Sequence, residues 1–149
     1  MIEAIFERHN KTVYRVCMLY MKNPADAEDM TQNTFLRLLD KGVSFASAEH
    51  EKAWLVRTAV NLCKNDLRAF RRKAAQLPET LAAPEAGTGE TLALVYALPK
   101  KYRTPLYLHY YEGYNAVEIA KMLKARESTV RSWLMRGRNM LRMEIGADG

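Results

Sequence analysis

The chain has 149 residues, 48% of them hydrophobic, enough for one ordinary domain or two small ones and an argument against wholesale disorder. Seven glycines and five prolines among abundant Leu, Ala, Met, Lys, Arg and Glu favour an all-α protein, and no apolar run nears the roughly 18 residues of a membrane span. The net charge of +6 is segregated: residues 1–40 carry five Lys or Arg against six Asp or Glu, 41–73 eight against three, 74–95 none against three, and 96–149 ten against five. Two basic blocks around an acidic gap point to a polyanionic partner such as DNA.

A first helix is expected from about Ile2 to Met21, with Ile2, Ile5, Phe6, Val13, Val16, Cys17 and Tyr20 at three- and four-residue spacing. Its acids and its amphipathic repeat are unlike a signal peptide, so a cytoplasmic protein without membrane insertion is expected. Asn23-Pro24 breaks the chain and restarts it: Asn23 can cap a second helix, Pro24 suits its first position, and Asp26, Glu28 and Asp29 favour the positive end of its dipole. That helix reaches about Asp40, where Lys41-Gly42 ends it. Ala27, Thr34 and Leu38, with Phe35 beside them, share its inner line. Asp29, Gln32, Asn33 and Leu36 form the opposite line, where an aliphatic anchor among polar neighbours describes a small docking patch for another protein.

After the polar stretch "VSFASAEH" a long third helix runs from Glu51 to about Lys73. Val56, Ala59, Val60, Cys63, Leu67 and Phe70 give it a buried stripe. Trp54, Arg57, Asn61, Lys64, Asn65, Arg68, Arg71 and Arg72 make a neighbouring stripe that is basic, amide-bearing and headed by an indole. Such a surface suits opened DNA: the ring stacks on an unpaired base, the amides read base edges and the cations hold the backbone. The competing reading has Trp54 filling a crevice between helices and the cations solvated. Residues 74–90, with Pro78, Pro84, Gly87 and Gly89 and no Lys or Arg, read as a flexible linker between two domains.

Helices are then expected at about Thr91–Leu98, Thr104–Tyr111, Ala116–Leu123 and Ser128–Met143. Asn115 and Glu118 resemble a capping box. Ile119, Ala120 and Leu123 face Val130 and Leu134 across a turn at Lys124–Glu127, which makes a helix-turn-helix. Ser128, Thr129, Arg131, Ser132 and Arg136 on the amino-terminal turns of its second helix can reach base edges in a major groove, and Arg138 continues the charge. Arg103, Tyr114 and Lys121 are expected to clamp phosphates nearby.

No enzyme is expected, and no cofactor or metal. His9, His50 and His109 are scattered, no glycine-rich phosphate loop is present, and the acids Asp26, Glu28 and Asp29 are better explained as a helix start. Cys17 and Cys63, far apart in sequence and set in helical apolar patterns, read as reduced core residues.

The segments "NPADAEDMTQNTFLRLLDK", "AWLVRTAVNLCKNDLRAFRRK" and "LPKKYRTPLYLHYYEGYNAVEIAKMLKARESTVRSWLMRGRNMLR", in this order and covering nearly the whole chain, resemble a bacterial RNA polymerase sigma factor of the sigma-70 family, extracytoplasmic-function (ECF) type. The resemblance implies a region 2-like domain at 1–73, a linker at 74–90 and a region 4-like domain at 91–149. It implies that Asp29, Gln32, Asn33 and Leu36 bind the clamp helices of the polymerase's largest subunit, with the flap as a further contact. The Trp54–Arg72 stripe would melt and hold the minus-ten promoter element, and Ser128 to Arg138 would read the minus-thirty-five element. An anti-sigma factor is an implied partner. Lys124, Arg126 and Trp133 depart from the residues this family commonly carries at those places. The alternative is a stand-alone helix-turn-helix transcriptional regulator, which would leave the Leu36 patch and the Trp54 stripe without a task.

Overall fold

The computed structural model describes residues 2–21, 23–42, 44–71 and 90–148, with the side chains of 68–71, 90 and 144–148 outside the description. Every regular element among the described residues is helical, and the contacts divide the chain into two units, Met1–Leu77 and Pro78–Gly149. The first unit holds α1 (Ile2–Met18), α2 (Pro24–Lys41) and α3 (Ala48–Arg71), each packed on the other two. The second holds α4 (Glu90–Ala97), α5 (Lys100–Tyr110), α6 (Ala116–Leu123) and α7 (Glu127–Asp148). Apart from Glu90, which opens α4, the expected linker lies outside the described residues.

In the first unit, Val13, Val16 and Cys17 of α1 are buried against Ala27, Phe35 and Leu38 of α2 and Val56, Ala59, Val60 and Cys63 of α3. α1 stops at Met18, short of the expected Met21, because Leu19 and Tyr20 donate to the carbonyls of Val16 and Cys17 three residues back, tightening the last turn. Leu19, Tyr20 and Met21 stay buried in that turn. Phe6, expected on the apolar side, is exposed, yet its ring meets Phe35 edge-on at 4.9 Å. α2 starts as its residues dictate: the Asn23 side chain accepts from the Asp26 N–H at 2.9 Å and Pro24 takes the first turn. It ends at Gly42, whose φ of 59° is the left-handed conformation a helix terminus favours. Inside, the Thr31 and Thr34 hydroxyls donate to the carbonyls of Ala27 and Met30, so neither buried oxygen goes unmatched.

α3 begins three residues before the expected Glu51, with Ser47 Oγ accepting from the His50 N–H at 3.1 Å. Glu51 therefore closes the first turn instead of opening the helix, and it is buried. Its Oε1 accepts from His9 Nε2 at 2.8 Å and from Arg8 Nη2 at 3.0 Å, tying α3 to α1. A carboxylate cannot donate, so the contact requires a proton on His9 Nε2. Cys17 and Cys63, remote in sequence, meet between α1 and α3 with no disulfide. The hydrogen bond to Cys17, then burial, push the Cys63 thiol far above its ordinary range.

α5 is the axis of the second unit, packing on α4, α6 and α7. Arg103, Thr104, Pro105, Leu106, Tyr107 and Leu108 are consecutively buried. The helix starts at Lys100, four residues before expectation, and accommodates Pro105 within its second turn at the loss of one backbone bond. α7 lies against it at Gly137: a Cβ built there would come within 2.8 Å of Leu106 Cδ1 and 3.1 Å of Tyr102 Cβ. α6 matches the expected Ala116–Leu123, with both halves of the Asn115–Glu118 capping box formed. α7 extends beyond the expected ends in both directions.

Replacing Glu51 with Ala strands a buried imidazole and the inner end of Arg8, and is expected to cost the first unit about 3 kcal/mol. Glu51→Gln keeps an acceptor and is expected to cost about 1 kcal/mol. Urea unfolding read through Trp54 fluorescence in a Trp133→Phe background measures both; equal, small losses would contradict the account.

Candidate functional site

The first unit displays two faces. On α2 the burial of Ala27, Thr31, Thr34, Phe35 and Leu38 turns the opposite side outward, and there Asp29, Gln32, Asn33 and Leu36 are all exposed. Leu36 is 55% exposed, an unsheltered aliphatic side chain in a polar row. Leu39, three residues on and 57% exposed, extends the apolar spot and was not singled out from sequence. The signal available for it was its spacing from Leu36.

On α3 the expected stripe is partly displayed. Arg57 and Asn65 are exposed, while Trp54, Asn61 and Lys64 are half-buried. Trp54 is not a bare platform. Its ring lies 5.8 Å from that of Phe45, which in turn meets His50 edge-on at 5.5 Å. Trp54 thus packs against a neighbouring ring, as the crevice-filling reading expects, while part of the residue stays exposed. From Trp54 to Asn65 the stripe runs about 16 Å along the helix. Arg68 and Arg71 continue α3, with their side chains outside the description, and Arg72 lies outside the described residues.

In the second unit, Val130, Leu134 and Gly137 are buried and fix the outward face of α7. Ser128, Arg131, Arg136 and Arg138 are exposed on it, Thr129 and Ser132 half-buried at its edges, and Lys121 is exposed on α6. Arg131 is paired with the carboxylate of Glu127 one turn earlier, a contact that sequence reading passed over. Met135, 54% exposed, falls in the middle of the same face and was also missed.

Two residues do not join them. Arg103 is 2% exposed, and its Nη1 donates to the Leu98 carbonyl at 3.1 Å, satisfying the end of α4. Tyr114 is 8% exposed beneath the α5–α6 turn, where its N–H donates to the Leu108 carbonyl and its carbonyl is met by His109 Nδ1. The expected phosphate-clamping role of Arg103 and Tyr114 is therefore corrected to one inside the packing. The positive charge of Arg103 reads as surface chemistry in a sequence, but here it neutralises a helix terminus.

The turn between α6 and α7 carries Lys124 at φ 55°, the one non-glycine residue in the left-handed region among those described. Its N–H and that of Ala125 both donate to the Ala120 carbonyl. Trp133, another of the residues that depart from the common pattern, is half-buried on the flank of α7.

No group of His, Cys, Asp and Glu that could hold a metal occurs among the described residues, and no described helix is long and apolar enough to cross a membrane. The arrangement is two separate helix-borne surfaces in the first unit and a helix-turn-helix in the second.

Comparison with known proteins gives this arrangement its class. Residues 5–73 match the family Sigma-70 region 2, and residues 89–141 match Sigma-70, region 4. The ECF RNA polymerase sigma factor SigW of Bacillus subtilis is 25% identical over 162 residues, covering 95% of this chain and 87% of that protein. SigM of Mycobacterium tuberculosis is 29% identical over 150 residues, covering 97% and 76%. The sigma factor RpoE of Bartonella quintana, solved in complex with the anti-sigma factor NepR, superposes with a TM-score of 0.78 over 99% of this chain and 98% of that one, at 18% identity, a likeness of fold. The chain belongs to the sigma-70 family of RNA polymerase sigma factors. Its relatives set it with the extracytoplasmic-function type, which makes it a transcription initiation factor that directs RNA polymerase to promoters.

A left-handed lysine costs about 1 kcal/mol relative to glycine, partly offset by glycine's greater freedom when unfolded. Lys124→Gly is expected to stabilise the second unit by about 0.5 kcal/mol, raising its thermal midpoint by a few degrees. A lowered midpoint would mean that the lysine side chain contributes more than its backbone costs.

Proposed function

We infer that the three displayed faces divide the work of initiation among them. The outer face of α2, with Asp29, Gln32, Asn33, Leu36 and Leu39, docks on the clamp helices of the polymerase's largest subunit, a small apolar anchor in a polar rim. The stripe of Trp54, Arg57, Asn61, Lys64, Asn65, Arg68, Arg71 and Arg72 holds the melted minus-ten element. The amino-terminal turns of α7 read the minus-thirty-five element in the major groove, with Lys121 on a flanking phosphate.

Melting follows from capture. A base leaving the duplex stack costs a few kcal/mol, and a preformed surface of indole edge and amides offsets that cost only where the base fits. Trp54 braced by Phe45 is such a surface, because its ring is already oriented before DNA arrives. The cations hold the backbone without reading it. Two weak readers on one chain, oriented by core polymerase, gain effective concentration that neither has alone. The chain itself catalyses no step in this account; polymerase does, in the cytoplasm. RpoE is solved with an anti-sigma factor bound, and a partner of that kind that covered these faces would be a fitting regulator.

The observation that carries this reading is the exposure of a lone aliphatic row on α2 within the stretch matched to region 2, on the side of the helix opposite its core line. Purified protein mixed with sigma-free core polymerase and fragments of its source DNA is expected to give discrete transcript starts. Replacing Asp29, Gln32 and Leu36 together is expected to abolish them while thermal stability changes little, those side chains being exposed. Starts that persist in the triple variant would move the polymerase contact off α2. Tight duplex binding by the protein alone, without starts, would favour the stand-alone regulator.

A further inference from the structure

Glu127 is the first residue of α7, and its Oε1 accepts from both Nε and Nη2 of Arg131 one turn later. Both side chains are well exposed, at 45% and 66%. A solvated i,i+4 pair of this kind adds little to helix stability, so its main consequence is where it leaves the guanidinium. The carboxylate occupies the Nε–Nη2 edge. The other edge, formed by Nη1 and the second Nη2 proton, points away from it, and those two donors have the spacing of guanine O6 and N7.

We propose that Glu127 is a positioning residue for base recognition: it holds Arg131 with its outer edge presented to a guanine of the upstream promoter element. The proposal rests on α7 reading that element. Three physical consequences belong together. A long, rotamer-rich side chain is ordered before it meets DNA, so less freedom is lost on binding. An arginine already shared with a carboxylate is a poor phosphate ligand, so it does not bind the backbone wherever the helix lands. The carboxylate itself, held at the positive end of the helix, repels phosphates at any site that lacks the guanine. The neighbours of Arg131, Ser128, exposed, and Ser132, half-buried at the edge of the face, are short side chains that compete little with it for space. Discrimination is thereby gained at the expense of sequence-independent affinity.

The test uses the complete holoenzyme and a promoter whose start it directs. Each guanine of the upstream element is replaced in turn by 7-deazaguanine, which lacks the N7 acceptor. With the wild-type chain, one position is expected to weaken binding about fivefold or more. Arg131→Ala should be indifferent to that replacement. Glu127→Ala should feel it less than twofold, while binding mixed-sequence DNA more tightly than wild type; circular dichroism should find both variants as helical as wild type. Glu127→Ala that keeps the full fivefold sensitivity, when Arg131→Ala has lost it, overturns the positioning role and leaves α7 as the reader. Arg131→Ala that keeps the sensitivity, or a wild type that shows none at any guanine, overturns the assignment of Arg131 to a guanine and the positioning role with it.

Discussion

Burial of one apolar stripe on each of three helices is the constraint on which the rest of the molecule depends. Ala27, Phe35 and Leu38 are buried on α2, Val56, Ala59, Val60 and Cys63 are fully buried on α3, and Val130 and Leu134 are buried on α7 beside Gly137. Each valine or leucine removed from water contributes about 1.5–3 kcal/mol, so turning any of these helices by one residue step would cost several such contributions. On α7 the rotation is fixed more tightly still, because the helix approaches Leu106 and Tyr102 so closely at Gly137 that a single methyl would push its neighbours aside. Which residues a helix displays is therefore settled by what it hides. Ser128, Arg131 and Arg136 face outward because Val130 and Leu134 face in.

Polar groups inside the units serve the same end. Arg103 satisfies a carbonyl at the end of α4, and Glu51 binds His9 and Arg8 across the α1–α3 contact. Each is a charge taken from water only where it finds a partner. They hold α5 and α3 in place, and through them the surfaces proposed to meet polymerase and DNA. On α3 a buried, paired charge at Glu51 and a displayed one at Arg57 lie less than two turns apart.

That mixture explains what could be read from the sequence and what could not. The helix-turn-helix was legible because α6 obeys local rules: Asn115 and Glu118 cap it, and Ile119 and Leu123 give it one apolar side. The outward face of α2 was legible because Leu36 stood alone among polar residues. α5 was not, since a helix covered by three others has little polar surface to set its period, and the start expected at Thr104 fell where the helix was already in its second turn. Arg103 and Tyr114 were misplaced for the same reason. Glu51 was only the expected first residue of the third helix, and only the fold brings His9 to it, 42 residues away. The pairing of Glu127 with Arg131 was open to inspection at i,i+4 spacing, but charge counting sets only totals, and the pair's meaning lies in which edge of the guanidinium it leaves uncovered.

The central claim is that the displayed faces of α3 and α7 each meet their own promoter element. A DNA-cleaving iron chelate attached to Ser132→Cys, or separately to Asn65→Cys, tests it in the holoenzyme–promoter complex. The native Cys17 and Cys63 are buried, and the thiol of Cys63 resists ionisation, so attachment is directed to the introduced site. The account predicts cuts around minus thirty-five from Ser132→Cys and around minus ten from Asn65→Cys, with no overlap between them. Cuts in the same element from both positions, in a complex that still initiates, would contradict it.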